Sequence, residues 1–199
     1  MSSIFQRIIA LIILIIVSPI FFISAFAIFL DDGFPIFFTQ RRTAQGKKMF
    51  KMYKFRTMIK NSEEVLKNDK KLYKIFIEND YKIPEHQETR LLKTAKFMRK
   101  TSIDEIPQLI NVLLGDINLI GNRPLQKSEF ELYSQNEQEI LSTTKNGVTG
   151  LWQVSGRSNI KAQERRDIEV RYAQNKSFWL DTKIIFKTIV VVLGRFGSH

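Results

Sequence analysis

Two carboxylates stand side by side, Asp104 and Glu105, inside the run Thr101-Ser102-Ile103-Asp104-Glu105-Ile106-Pro107. A helical pattern, Gln108 to Leu114, follows them and stops at Gly115. A capping box from Ser102 to Glu105 would explain the acid without chemistry. That register puts Pro107 fifth in the helix, where its missing N–H already breaks a hydrogen bond, whereas a start nearer Asp104 keeps Pro107 in the first turn. Either register sets the pair at a helix N-terminus, whose positive dipole end favours ionised carboxylates and attracts phosphate.

Cations recur around the pair in patterns that suit a phosphorylated ligand. From Met49 to Met58 apolar and basic residues alternate with period two, which predicts a strand with Lys54 and Arg56 on one face. Such a pair suits a diphosphate; a solvated strand face is the other explanation. Asp116 to Ile120 predicts a short strand, and Gly121-Asn122-Arg123-Pro124 a tight loop presenting one guanidinium just beyond the carboxylate helix. Backbone amides and Arg123 there could hold a phosphoryl group. Arg99, near the end of a basic helical pattern from about Thr89 to Lys100, is a third candidate cation. The run Gly147-Val148-Thr149-Gly150-Leu151-Trp152-Gln153-Val154-Ser155-Gly156-Arg157 spaces its glycines with β-prone residues. A hairpin explains the glycines, while Trp152-Gln153 with Arg157 could serve a base and a phosphate.

Composition narrows the chemistry. With 31 Lys and Arg against 20 Asp and Glu, the net charge is +11, so the partners are anionic: nucleic acid, phosphorylated metabolites or an acidic lipid surface. The chain has no cysteine, which excludes disulfides and Cys-ligated metals. Its only histidines are His86 and His199, which leaves a metal to oxygen ligands and points to magnesium-type chemistry.

The elements that must position these groups are one membrane segment and one small domain, as 199 residues with 44% hydrophobic content allow. Ile8 to Leu30 carries no charge and is long enough to cross a bilayer. A single-pass anchor is one explanation, and Ala25-Phe26-Ala27 resembles a signal-peptide cleavage box. Ser18-Pro19, however, falls mid-run and predicts a sharp bend. Basic residues flank both ends, Arg7 before and Arg41, Arg42, Lys47 and Lys48 after, although Asp31-Asp32 dilutes the second group. The expectation is a helix-break-helix that dips into one leaflet and returns. Residues 1–33 form this element and residues 34–199 the remainder, an α+β unit that is mostly helical with a short β element. In it Phe34 to Gln40 is β-prone, Arg41 to Lys48 a basic loop, Asn61 to Asn79 helical, and Asp181 to Phe196 an amphipathic helix for a protein or membrane surface.

Taken together, these motifs resemble the bacterial sugar transferases, the monotopic polyprenyl-phosphate phosphoglycosyl transferases of minimal catalytic-domain type. The residues that carry the resemblance are Ser18-Pro19, Tyr53 to Met58, Arg99 to Gln108, Gly121 to Pro124 and Gly147 to Arg157, in that order and spacing. The resemblance implies a re-entrant membrane helix, a catalytic domain on the cytoplasmic face of the bacterial inner membrane, and magnesium dependence. It further implies transfer of a sugar 1-phosphate from a UDP-sugar to polyprenyl phosphate, with Asp104 as nucleophile through a covalent Asp-phosphosugar intermediate. Asp104 and Glu105 would be the catalytic dyad and metal ligands, Glu105 serving the metal or the acceptor. Lys54, Arg56, Arg99, Arg123, Pro124, Gln153 and Arg157 would bind substrate, membrane lipids and downstream glycosyltransferases would be partners, and nucleic acid would not. The chain departs from the family pattern at Ala44, Asn122, Asn146 and Glu169; the last puts a nucleotide-binding role at that position in doubt. Two rivals remain: a membrane-tethered module that binds anionic lipid or nucleic acid, and a magnesium-dependent phosphatase or nuclease.

Overall fold

The computed structural model describes residues 2–79, 83–156 and 161–194. The apolar run is helix α1 (Ser3–Asp32), capped by the Ser2 side chain, which accepts from the Phe5 N–H. The expected separation into two helices at Ser18-Pro19 does not occur, and α1 continues through Pro19. Proline supplies no N–H to the carbonyl four residues back. That carbonyl, on Ile15, is taken instead by the Ser18 hydroxyl at 2.8 Å, which preserves its pairing inside the helix.

A β-hairpin follows. β1 (Phe37–Thr43) pairs antiparallel with β2 (Met49–Phe55), from Phe37 opposite Phe55 to Thr43 opposite Met49. β1 thus takes in Arg41 and Arg42, which the sequence assigned to a loop. The helical pattern from Asn61 to Asn79 is two helices, α2 (Ser62–Asn68) and α3 (Lys70–Glu78). They part at Asp69, whose side chain leaves the helix to cap α3 through the Lys71 and Leu72 N–H groups. The helix expected from Thr89 begins only at Ala95, as α4 (Ala95–Thr101), because Leu91 is held in a β-bridge with Met58.

α5 (Gln108–Leu114) leads into β3 (Asn118–Ile120), then come α6 (Lys127–Phe130) and α7 (Gln135–Thr143). β4 (Gly147–Thr149) pairs parallel with β3, so the glycine-rich run is not the hairpin that its spacing suggested. Close approach explains the glycines here: a Cβ on Gly147 would meet the Gly121 nitrogen at 2.1 Å. The chain closes with α8 (Ala162–Asn175) and α9 (Phe178–Leu193); Arg195 and Phe196, expected to extend this last helix, lie outside the described residues.

Two of the apolar clusters are shared with α1. Near its start Ala10 packs with Leu109, Val112 and Ile117 of the α5–β3 region. Near its end Ile28 packs with Phe55 of β2, with Leu92 just before α4, and with Ala95 and Met98 of α4. Polar contacts fix the same face: buried Gln6 accepts from the Leu119 and Ile120 N–H groups through Oε1, and Arg7 donates to the Leu114 carbonyl. Among the described residues nothing covers the opposite face, where Ile16, Phe22 and Ile23 are 71%, 70% and 69% exposed. A continuous apolar surface of this kind needs lipid or another protein surface against it.

Candidate active site

The carboxylate pair lies in a 3-10 turn, Ile103–Glu105, ahead of α5 rather than within its first turn. Ser102 ends α4 in a left-handed conformation (φ 59°), its N–H on the Arg99 and Met98 carbonyls, and its side chain makes no cap. Three-residue hydrogen bonds then carry the chain forward, Glu105 to Ser102, Ile106 to Ile103 and Leu109 to Ile106. Such a turn, tightened ahead of Pro107, sets successive side chains about a third of a revolution apart. Asp104 and Glu105 consequently face different surroundings.

Glu105 is held by two cations on one oxygen. Its Oε1 accepts from Lys54 Nζ at 2.8 Å and from Arg123 Nη2 at 2.9 Å. The alternation of β2 aims Lys54 at the turn, and the loop that follows β3 delivers Arg123. Withdrawal from water pushes Glu105 toward the neutral acid, but the charges and hydrogen bonds of Arg123 and Lys54 outweigh it and hold the carboxyl well below the usual range. The pairing is reciprocal: the Glu105 charge raises Arg123 against its own burial.

Asp104 makes no hydrogen bond or ion pair among the described residues, and it forms part of the wall of a cavity of about 770 Å³. Burial, then the negative charge of Glu105, raise its pKa, while Lys54, Arg99 and Arg123 pull it back. Lys54 and Arg99 share the charged wall with Asp104, and Pro35, Phe37 and Phe38 form an apolar stretch of it. Arg99 is fixed there by two donations to Thr57 Oγ1, from Nε at 3.1 Å and Nη2 at 2.9 Å.

The structure thus gathers Lys54, Arg56, Arg99, Asp104, Glu105 and Arg123, and places Pro124 and Gln153 in other contacts. Arg56 lines the same cavity as Lys54, Arg99 and Asp104, with its guanidinium engaged on Asp32, Gly33, Pro35 and Met58. The Pro124 carbonyl accepts from Arg42 at 3.3 Å. Gln153 is buried and donates to the Val148 carbonyl at 2.9 Å, closing the turn after β4. Arg157 lies outside the described residues. Two contributors escaped sequence reasoning. Arg42 reaches Pro124 next to Arg123 and pairs with Glu129 at 2.8 Å; the antiparallel register was the signal for it. Thr57 belongs to the Tyr53 to Met58 run that carries the resemblance, but no local pattern marked a role of its own.

No cluster of three or more His, Cys, Asp or Glu side chains that could hold a metal occurs among the described residues. A divalent ion at this site would have Asp104 and Glu105 Oε2 as protein ligands, because Glu105 Oε1 already serves two cations. Magnesium accepts such a shell, one or two carboxylates completed by phosphate oxygens and water. Chemically, the arrangement offers one uncommitted carboxylate oxygen donor facing a cavity, surrounded by fixed cations that can balance a diphosphate.

The model of the family described as bacterial sugar transferase matches residues 1–195. The chain is 39% identical to the undecaprenyl-phosphate galactose phosphotransferase of Salmonella typhimurium, over 98% of this chain and 41% of that protein. It is 35% identical to the exopolysaccharide production protein ExoY of Sinorhizobium fredii, over 98% of this chain and 86% of the relative. With EpsL, an uncharacterized sugar transferase of Bacillus subtilis, identity is 36% over 99% of this chain and 89% of the other. The chain therefore spans about two fifths of the Salmonella relative and most of the length of the other two.

Proposed function

The chain belongs to the bacterial sugar transferase family, and on that premise we propose that it moves a sugar 1-phosphate from a UDP-sugar to polyprenyl phosphate, the first membrane step of polysaccharide or glycoconjugate synthesis. The observation that carries this reading is the contrast within the dyad: Asp104 faces the cavity without a partner among the described residues, while Glu105 is clamped by Lys54 and Arg123. A nucleophile must be uncommitted, and the groups that balance its target's charge must be fixed beforehand.

In the proposed reaction an Asp104 carboxylate oxygen attacks the phosphorus bearing the sugar, and the bond from that phosphorus to the bridging oxygen breaks. Uridine monophosphate leaves with that oxygen, and the sugar phosphate stays on Asp104 as an acyl phosphate. An oxygen of polyprenyl phosphate then attacks the same phosphorus and releases the Asp104 carboxylate. Two polyanions are in this way handled one at a time. Lys54, Arg99 and Arg123 hold the diphosphate and the developing monophosphate in place. Magnesium, when bound at the dyad, would lower the repulsion between carboxylate and phosphate. The apolar stretch of cavity wall at Pro35, Phe37 and Phe38 directly follows α1 and suits the entry of a lipid-linked acceptor.

The same reading includes a membrane element that enters the bilayer and returns. At 30 residues α1 is about 45 Å long, enough for a hydrocarbon core of about 30 Å. Both of its ends nevertheless pack on one domain, through Gln6 and Ala10 at the start and Ile28 and Asp32 at the end. On this reading both ends stay on the domain's side of the membrane, taken as the cytoplasmic face, and Pro19, where the helix lacks one backbone donor, is the point at which a bend would fall. Cysteines at positions 3 and 34 should label from the same side in intact cells; opposite labelling would exclude this topology.

Purified protein, polyprenyl phosphate and a panel of UDP-sugars test the reaction. Sustained release of uridine monophosphate should require the lipid phosphate. Free phosphate release, cleavage of nucleic acid, or turnover indifferent to the acceptor would point to a hydrolase instead.

A further inference from the structure

We infer that the Asp31-Asp32 end of α1 sets the position of Arg99 through Arg56 and Thr57, so that one cation of the cavity wall depends on how the apolar helix is seated. This assignment rests on the transfer proposed above, in which Arg99 faces the substrate phosphates. It makes Arg56, Asp31 and Asp32 positioning residues.

The donor count of Arg56 carries the inference. A guanidinium has five N–H donors, and each has an acceptor here. Nε donates to the Pro35 carbonyl at 2.6 Å, and Nη1 to the Asp32 carboxylate and the Met58 carbonyl at 3.3 Å. Nη2 donates to the Asp32 and Gly33 carbonyls at 3.2 and 2.7 Å. Arg56 is 5% exposed. It is a staple between the end of α1 and the chain leaving β2, and a fork with every donor engaged has none left for a ligand.

The next residue transmits the hold. Thr57 Oγ1 accepts both Arg99 donors, and its carbonyl accepts from the Leu92 N–H at 3.1 Å. A second route reaches the same arginine: the Asp31 carboxylate accepts from the Thr94 N–H at 3.3 Å, immediately before α4, whose last turn carries Arg99. Two adjacent acids thus anchor the element that bears Arg99 and the hydroxyl that orients it. Lys54 and Arg123 have no such dependence, since Glu105 holds both.

The test uses the full chain in lipid nanodiscs with Arg56→Lys and Asp32→Asn, each alone and combined with Arg99→Gln. Lysine keeps the charge of Arg56 and loses its fork; Asp32→Asn is the milder change should Arg56→Lys not fold. Each single variant should lower kcat/KM for the UDP-sugar by about tenfold, and the same change made on Arg99→Gln should cost less than about twofold, the non-additivity of residues acting through one another. Effects that multiply in full would overturn the inference. Hydrogen exchange supplies a readout independent of turnover: Arg56→Lys should speed exchange over residues 94–101 and leave α5 unchanged. Unchanged protection over residues 94–101 sinks the positioning role whatever the activity does, whereas wild-type protein without acceptor-dependent turnover would sink the transfer reading alone.

Discussion

Two withdrawn glutamates on either side of Arg123 have opposite electrostatic fates. Glu105 accepts from Lys54 and Arg123, which overcome its desolvation and hold it ionised far below the usual range. Glu169 is fully buried and accepts from the Tyr133 hydroxyl and from Arg165 Nε at 3.1 Å. There burial dominates, and one shared arginine and one phenol leave its pKa raised. Arg165 is divided among Glu169, Glu129 at 3.7 Å and the Trp152 ring at 4.5 Å. The difference teaches that a carboxylate's role follows its cations: two dedicated ones make a fixed anion that organises charge, and one divided among three partners makes a clamp that organises shape. The Glu169 backbone carbonyl also accepts from Asn122 Nδ2 at 2.8 Å, so the clamp adjoins the Arg123 loop.

The largest effect should come from the acid that neither arrangement engages. Asp104→Asn should lower transfer on the order of a thousandfold or more, as loss of a nucleophile does. Its thermal midpoint should stay at or above that of wild type, because the change removes a half-buried charge with no hydrogen bond among the described residues. Efficient turnover by this variant breaks the contrast between a working Asp104 and a holding Glu105. Next in size, Arg123→Lys should cut kcat/KM on the order of 10²-fold, since a point charge replaces a directed donor at a developing anion. Wild-type kinetics there would mean that the Glu105 arrangement serves stability alone.

The Glu105 region was legible in the sequence because its parts are marked locally. Asp104 and Glu105 are adjacent, alternation places Lys54, and turn residues flank Arg123. Arg56 shows where the same logic stops. Period two holds only while the strand lasts, and β2 ends at Phe55, so the Arg56 guanidinium, although it lines the same cavity as Lys54, is engaged on the helix end. Local pattern also overran at Thr89, where a cross-chain bridge at Leu91 replaces the first turns of the expected helix. The Glu169 region was nearly silent. Its partners come from positions 122, 129, 133, 152 and 165, joined only by packing of α6, α7 and α8 around Leu125, Tyr133, Leu141 and Ala173. No periodicity within one segment announces such a convergence, and the sequence flagged Glu169 only as a departure from a family pattern.

The finest test is the pH dependence of stability, because the two glutamates should push it in opposite directions. Glu169 has a folded pKa above its unfolded value of about 4.5, so the folded state binds the extra proton between the two. Its contribution is complete below the unfolded value and is lost as pH rises through the folded one. Glu105 has a folded pKa below about 4.5, so its contribution is present above that value and is lost as pH falls through the folded one. Glu169→Gln removes the first dependence. The glutamine oxygen can still accept from Tyr133, and the group at this fully buried position no longer ionises. The variant's melting temperature relative to wild type should therefore climb as pH rises above about 4.5 and through the raised folded pKa. Glu105→Gln should differ on the acid side instead: its deficit against wild type should shrink as pH falls below about 4.5, where the wild-type carboxylate loses its advantage. Curves for Glu169→Gln that run parallel to wild type across that range would mean Arg165 holds Glu169 ionised after all, and the two regions would then differ in geometry but not in charge.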